Sequence, residues 1–485
     1  MPPHGSGFPG DVLERIDPWC WRIPRRFRAG MRVEGRVFAS ERLLPAILAD
    51  LSLFQCVNVA ALPGIRTASL VMPDVHQGYG FPIGGVAAMG LNDGVVSPGG
   101  VGFDISCGVR LLISSLTEAE IRPELRALLR TLVDAIPLGV GSQAKVSLSP
   151  GELDTILREG LPALLVRGLA SEEDLLACEM GGHCPEADPD CVSPEAKARG
   201  RGQLGSLGSG NHFLEIQVVE RVFHPPLAER FGLGLGQVVV MLHSGSRGLG
   251  HQVASDYIRL MGAVMAREGI VLPDRQLACA PIGSSEGRRY MAAMAAASHF
   301  AWCNRQMLTE QVRAAFFRHF KATLRTLYDV SHNMARVEGH QGEDGQRHNL
   351  LVHRKGATRA FPAGHVELSA PFRETGHPVL VPGDMGRASY VLVGLPGAMA
   401  RTFGSVCHGA GRLLSRTAAR RLQRCDQLEA RLAAAGVMVY GASRRGVAEE
   451  APEAYKDIEA VVDVLTGAGL ARRVARLRPI GVLKG

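Results

Sequence analysis

From Ala60 to Leu112 the chain is written in short apolar runs broken by glycine and proline, such as Ile83-Gly-Gly-Val-Ala-Ala-Met89 and Val109-Arg-Leu-Leu-Ile113. Runs of this length between turn residues read as buried strands joined by tight turns. One such turn, Pro98-Gly-Gly-Val-Gly-Phe-Asp-Ile-Ser-Cys-Gly-Val-Arg110, sets Asp104 and Cys107 three residues apart between glycines. If the backbone turns tightly there, a carboxylate and a thiol face one point, as metal ligands do. Four histidines stand in similar Gly- or Ser-rich settings far downstream: His212 in Gly210-Asn-His-Phe-Leu-Glu215, His243 in Leu242-His-Ser-Gly-Ser-Arg247, His332 in Val330-Ser-His-Asn333 and His408 in Cys407-His-Gly-Ala-Gly-Arg412. Any one of them reads equally well as a hydrogen-bonded core residue, but together with Asp104 and Cys107 they point to a shared site. Thiolate, carboxylate and imidazole suffice for one or two divalent cations, and softness alone nominates zinc.

The remaining texture bounds the setting. A 46% hydrophobic content over 485 residues is ample for a buried core, and no internal repeat or low-complexity linker divides the chain, so one interwoven domain is expected. No apolar run approaches the roughly 18 residues of a membrane span. The start, Met1-Pro-Pro-His-Gly-Ser-Gly7, lacks the pattern of a signal peptide, so a cytoplasmic protein is expected. Ten cysteines scattered without a leader argue for reduced thiols. Lys+Arg exceeds Asp+Glu by 54 to 47, a weak bias toward polyanionic partners.

Read in order, residues 1–50 form a polar lead-in with an Arg-rich piece, Arg22 to Arg32, that reads as a solvated face, followed by a helical pattern around Ser40 to Leu53. Residues 117 to about 200 read as a mainly helical insertion, opened by capping boxes at Thr117, Ser149 and Ser171. Strand texture returns at Phe213 to Val222 and Gln237 to Leu242. Ser285 to about Tyr328 reads as a long Ala/Met-rich helix whose His299, Cys303 and His319 are packing or surface residues, and His332 to Gly394 as a turn-rich sheet region. Cys178, His183, Cys184 and Cys191 match no common zinc spacing and read as an ordinary loop. Gly409 to Ala435 reads as an amphipathic basic helix closed by Gly436.

That helix would place His408 at its N-terminus, where free N–H groups and the dipole attract phosphate and favour a neutral imidazole able to attack phosphorus. A fifth metal ligand remains open on spacing alone. Pro382-Gly-Asp-Met-Gly-Arg-Ala-Ser-Tyr390 is a second glycine-rich loop, by itself a weak nucleotide signal, and Arg247 and Arg416 would complement phosphates or pair at the surface.

Seven ordered blocks carry a resemblance: Met72-Pro-Asp-Val-His-Gln-Gly78, Gly99-Gly-Val-Gly-Phe-Asp-Ile-Ser-Cys-Gly108, Gly208-Ser-Gly-Asn-His-Phe-Leu-Glu215, His243-Ser-Gly-Ser-Arg-Gly248, Ser331-His-Asn333, His353-Arg-Lys-Gly-Ala-Thr-Arg359 and His408-Gly-Ala-Gly-Arg412. Together they resemble the RtcB family of RNA ligases. The resemblance implies an α+β fold, a single large domain with central β-sheets around a metal and GTP pocket. It implies GTP- and Mn²⁺-dependent joining of an RNA 2′,3′-cyclic phosphate or 3′-phosphate end to a 5′-hydroxyl end, with two metal ions and an archease helper as a further partner.

By the same resemblance Asp104, Cys107, His212, His243 and His332 bind metal and His408 is the guanylylated nucleophile. Asn211, Glu215, Asn333, Val381, Pro382, Gly383, Asp384, Ala388, Ser389, Gly409, Ala410, Gly411, Tyr455 and Lys484 match guanylate-contacting positions, and Arg199, Arg247 and Arg416 match positions that meet RNA phosphates. Two departures stand out: Cys407 replaces a Ser common in the family, and Asp384 adds a negative charge to a loop meant to face a nucleotide. The rival readings are a metal-dependent phosphoesterase or nuclease acting on RNA ends, which has no need of His408, and a non-enzymatic RNA-binding scaffold, which has no need of the ligand set.

Overall fold

The computed structural model describes residues 7–144, 147–342, 345–422 and 424–485, so Met1–Ser6, part of the stretch read for a leader, and Gln423, within the expected basic helix, lie outside the described residues. The apolar runs become strands of two large sheets. One sheet runs in the order Glu14–Asp17, Cys20–Ile23, Glu34–Phe38, Ile65–His76, Ile83–Gly90, Arg347–Lys355, Asn333–Gln341. The other runs Leu324–Ser331, Gly108–Thr117, Gln237–Ser244, Phe213–Val222, Ala471–Lys484, Ser389–Gly394, Pro378–Val381, with Met438–Gly441 added in parallel against Ala471–Lys484. The fold is mixed α+β, as expected.

Register in the second sheet assembles the site. Ser331 lies opposite Gly108, Gly108 opposite Ser244, His243 opposite Phe213, and Phe213 opposite Lys484. Five neighbouring strands therefore bring His332, Cys107, His243, His212 and Lys484 to the same end of the sheet, because each is at, or one residue beyond, a paired position. His332 is also the one residue between Leu324–Ser331 of this sheet and Asn333–Gln341 of the other, so the two sheets meet at it.

The helical insertion is present, and all three capping boxes close as the sequence suggests, with Ser149 and Ser171 accepting N–H bonds from Glu152 and Asp174. Four expectations change. The polar lead-in is not a coil: Cys20–Ile23 and Glu34–Phe38 bury Cys20, Ile23, Val37 and Phe38, while the alternate Arg22 and Arg36 turn outward to Glu14 and Glu34. That alternation is strand periodicity hidden under a high charge content. The helical pattern after it is two short helices, Leu44–Ala49 and Ser52–Val59.

The long helix spans Ser285–Phe320 and stops at Lys321, which is left-handed at φ 55°; Tyr328 belongs to the strand Leu324–Ser331, whose pairing with Gly108–Thr117 overrides the helical pattern. The basic helix is two helices, Arg416–Leu422 and Cys425–Ala434, with Gly436 (φ 80°) closing the second. Residues 408–415 are irregular. Gly411 holds φ 72° and lies so close to Asp74 that a Cβ there would be 2.0 Å from its carbonyl oxygen, a conformation no helix contains.

Candidate metal centre and nucleotide cavity

At the shared end of the strands, the side chains converge. Cys107 Sγ lies 3.4 Å from His212 Nε2 and 3.3 Å from His243 Nε2, His243 Nε2 lies 3.2 Å from His332 Nε2, and His212 Nε2 lies 2.9 Å from Asp104 Oδ2. These ligand atoms fall into two groups that share Cys107, namely Asp104/Cys107/His212 and Cys107/His243/His332. Sulfur and nitrogen ligands held about 2.0–2.3 Å from one tetrahedral ion stand roughly 3.3–3.6 Å apart, close to these spacings.

Protonation supports the same fit. His212 Nδ1 donates to the Leu207 carbonyl at 3.0 Å, which leaves the Nε2 lone pair aimed at a carboxylate, two acceptors that a cation would reconcile. Burial, and then the neighbouring histidines, push His243 and His332 well below the ordinary imidazole range, so both present lone pairs. Burial and Asp104 push the Cys107 thiol up; a bound divalent ion is what would draw off that proton. The residues present fit a pair of divalent cations.

His408 stands beside this centre, its ring 4.7 Å from that of His332. No helix dipole acts on it, because it follows the short strand Ser405–Cys407 and precedes the irregular loop. Its orientation is set by acceptors: Nδ1 is 2.7 Å from the Gly356 carbonyl oxygen and 2.7 Å from Asp74 Oδ2, and the His408 backbone N–H donates to the same carboxylate at 3.3 Å. With Nδ1–H so engaged, Nε2 is the free lone pair. Lys456 in turn fixes Asp74, its Nζ donating to the carbonyls of Pro73 and Val75.

These groups border a cavity of about 500 Å³. Among the expected site residues, Asp104, Cys107, Asn211, Glu215, His243, His332, Asn333, Pro382, Gly383, Asp384, His408, Gly409, Ala410, Gly411, Arg416, Tyr455 and Lys484 line it. His212 reaches the metal ligands from behind Asp104. Val381, Ala388 and Ser389 are buried outside the lining; the Ser389 hydroxyl accepts from Gly383 N–H at 3.4 Å and so supports the loop from below. Arg247 and Arg199 also lie off the lining, donating to Ser206 Oγ at 3.3 Å and to Gln252 Oε1 at 2.6 Å.

The far wall is a charged network. Lys484 Nζ is 3.6 Å from Glu450 Oε2, Arg412 donates to Glu450 Oε1 at 3.0 Å with its guanidinium over the Tyr455 ring, and the Tyr455 hydroxyl binds Glu450. Burial raises Glu215 to about 7 and Asp384 to about 6, so near neutrality Glu215 is about half ionised while the extra acid of the loop keeps most of its charge. Asp384 Oδ2 is buried without a hydrogen-bond partner. Cys407 is fully buried with its thiol pushed well up by burial, a compact neutral residue in the place of a Ser.

A family model described as "tRNA-splicing ligase RtcB" matches residues 55–485. The chain belongs to the RtcB family. It is 53% identical over 478 residues to a tRNA-splicing ligase RtcB of Thermococcus kodakarensis, covering 98% of this chain and 99% of that protein. It is 49% identical over 479 residues to the protein of the same name from Archaeoglobus fulgidus, with 98% and 99% covered. An RNA-splicing ligase RtcB of Mycobacterium tuberculosis is 53% identical over 434 residues, 89% of this chain and all of that one.

The site of this RtcB-family chain also depends on residues that the motif reading passed over. Arg305, fully buried in the long helix, donates from Nη1 to the carbonyls of Ser106 at 2.8 Å and Ser244 at 3.0 Å, and pairs with Asp329 at 2.7 Å. Asn304 beside it donates to Ser206 O, Ser244 Oγ and Gly245 O. One helix turn thus fastens the segments that carry Cys107 and His243. The signal was partial: polar residues within the alanine-rich stretch of this helix must find buried partners, but Ser298, His299, Gln306 and Thr309 share that property with Asn304 and Arg305. Asp74 and Lys355 were within recognised blocks, and Lys355, lowered to about 7 by burial, spans the carbonyls of Tyr79 and Phe81 at the cavity wall. Of the cysteines of the insertion, Cys184 takes a contact from Arg336 at 3.1 Å and Cys178 is buried in the same apolar cluster.

Proposed function

We propose that this chain is an RNA ligase that uses GTP and Mn²⁺ to join RNA 2′,3′-cyclic phosphate or 3′-phosphate ends to 5′-hydroxyl ends, in tRNA splicing or RNA repair. The observation that carries this reading is His408: a histidine held by Asp74 and Gly356 through Nδ1, with Nε2 free beside a cluster of metal ligands in a cavity of nucleotide size. A hydrolase built on the same ligands has no use for it.

Asp104, Cys107 and His212 would hold one ion, and Cys107, His243 and His332 the other; such ions neutralise phosphate charge and polarise the phosphorus under attack. His408 Nε2 attacks the α-phosphorus of GTP, the bond to the β-phosphate oxygen breaks and pyrophosphate leaves, while Asp74 offsets the positive charge that develops on the ring. GMP then passes from His408 to an RNA 3′-phosphate, and the 5′-hydroxyl of the second strand displaces it. For a cyclic phosphate, hydrolysis to the 3′-phosphate precedes this. Guanine suits the cavity because its N1–H and amino group offer two donors where Glu215 and Asp384 Oδ2, which lies 3.6 Å from Arg387 Nε but has no hydrogen-bond partner, offer acceptors. An archease-type helper belongs to this reading as a partner that raises turnover.

The test is incubation with α-labelled GTP and Mn²⁺, wild type beside His408→Ala, resolved on a denaturing gel. Label on the wild type alone, followed by joining of a cyclic-phosphate RNA to a 5′-hydroxyl RNA, is the expected result. A wild-type protein that takes no label with metal and helper supplied, yet releases phosphate from the RNA end, would overturn it in favour of the phosphoesterase.

A further inference from the structure

Among the described residues, every Phe, Tyr and Trp except Tyr79, Phe103 and Phe317 packs into or against one of the apolar clusters of the core. Phe317 lies under the Lys321 ammonium on a helix surface. Tyr79 and Phe103 instead contact each other edge-to-face at 5.3 Å, and Phe103 stacks on His251 at 4.9 Å with the ring planes 24° apart. All three rings line the same cavity as the metal ligands, Phe103 adjoining Asp104 in the chain. Tyr79 and Phe103 are half-buried and His251 is exposed. Aromatic rings that bypass the core and leave their faces at a cavity mouth forgo burial that would stabilise the fold, and the common reason is a flat ligand.

We propose that the Tyr79–Phe103–His251 ring stack is a subsite that receives a nucleobase at an RNA end, a ligand that rests on the ligase reading given above. Single-stranded RNA is recognised by stacking unpaired bases on aromatic side chains flanked by cations that meet the backbone. The cation is present: Arg199, exposed at the end of the helix Pro194–Gly200, is fixed by its 2.6 Å bond to Gln252, next in the chain to His251, and its charge, after burial, lowers the His251 imidazole, keeping that ring neutral for stacking. The guanylate wall is drawn from other segments, around Asp384, Gly411, Glu450, Tyr455 and Lys484. One cavity therefore offers separate places for a guanine and for the base of an RNA terminus, which a transfer between the two requires.

The test uses the full-length protein with Mn²⁺ and two oligonucleotides carrying 2-aminopurine as the terminal base, one at a 3′-phosphate end and one at a 5′-hydroxyl end. Binding should quench one of them, which identifies the strand that the stack receives. His251→Ala and Phe103→Leu should weaken binding of that strand about 5- to 150-fold, the range for loss of one base–aromatic stack. An abasic terminus should cost the wild type the same factor and cost the variants nothing further, and Phe103→Trp should restore binding. No quenching of either strand at saturating protein, or variants that lose as much on the abasic strand, would overturn the subsite. Covalent labelling by GTP on the same preparations separates the two levels: a protein that takes label but shows no base-dependent binding loses only the subsite, whereas one with neither loses the ligase reading as well.

Discussion

Replacing Asp74 with Asn probes the support of His408 with little change of shape. The carboxylate is fully buried, lies 2.7 Å from Nδ1, and is outside the cavity lining, so it bears on the histidine and not on the nucleotide. The Gly356 carbonyl, also 2.7 Å from Nδ1, preserves the tautomer when the charge is removed. What is lost is the charge-assisted part of the hydrogen bond as the ring becomes cationic, about 1.5–3 kcal/mol, or roughly 10- to 150-fold in rate. Rapid-quench measurement of the protein–GMP adduct against time at several GTP concentrations would read this as a slower limiting rate with a nearly unchanged half-saturation. A variant that labels at the wild-type rate, or one whose defect lies wholly in GTP half-saturation, would refute the argument that Asp74 acts through His408.

Cys107→Ala removes the ligand common to both groups, so Mn²⁺ titrations should lose tight binding of both ions and His243→Ala of mainly one, as counted by calorimetry. Gly411→Ala should abolish labelling, because its Cβ would sit 2.0 Å from the Asp74 carbonyl oxygen at φ 72°, whereas Gly151→Ala, with nothing within 4 Å, should label normally. Glu215 has its folded pKa raised from 4.5 to about 7 by burial. The native state then binds the proton more tightly than the unfolded chain, and a cost grows between about pH 4.5 and 7 and is full above it, on the order of 3 kcal/mol. Glu215→Gln should therefore raise the urea midpoint at pH 8 and leave it unchanged near pH 4; an equal effect at both pH values would count against a buried, titrating carboxyl.

The convergence of the candidate metal ligands was legible because residues of distinctive chemistry stand between glycines at the ends of apolar runs, and strand ends are where a sheet presents side chains to a common point. Their partition into two groups was not legible, since it depends on register between strands more than 100 residues apart, such as Val109 opposite His243. The expected setting of His408 was wrong: small residues after it suggested a helix start, whereas the loop is irregular and Gly411 lets it press on Asp74. Arg305 escaped notice because nothing in an alanine-rich helix says which of its polar residues will meet strand ends. The Glu14–Phe38 strands were obscured by arginines that alternate outward and pair with glutamates.

The strand Ala471–Lys484 pairs with Phe213–Val222, Ser389–Gly394 and Met438–Gly441. Until it is made, the first two of those strands lack their common neighbour, and the cavity lacks Lys484 opposite Glu450. At a synthesis rate of about 5–20 residues per second, a growing chain that has already produced Phe213–Val222 waits about 12–50 s for its partner strand, and one that has produced Ser389–Gly394 about 4–15 s. Two open β-edges are then exposed to other nascent chains. Production of folded protein should accordingly be limited by how well this gap is shielded during translation, and any ligand of the cavity can help hold the fold together only after Lys484 is in place.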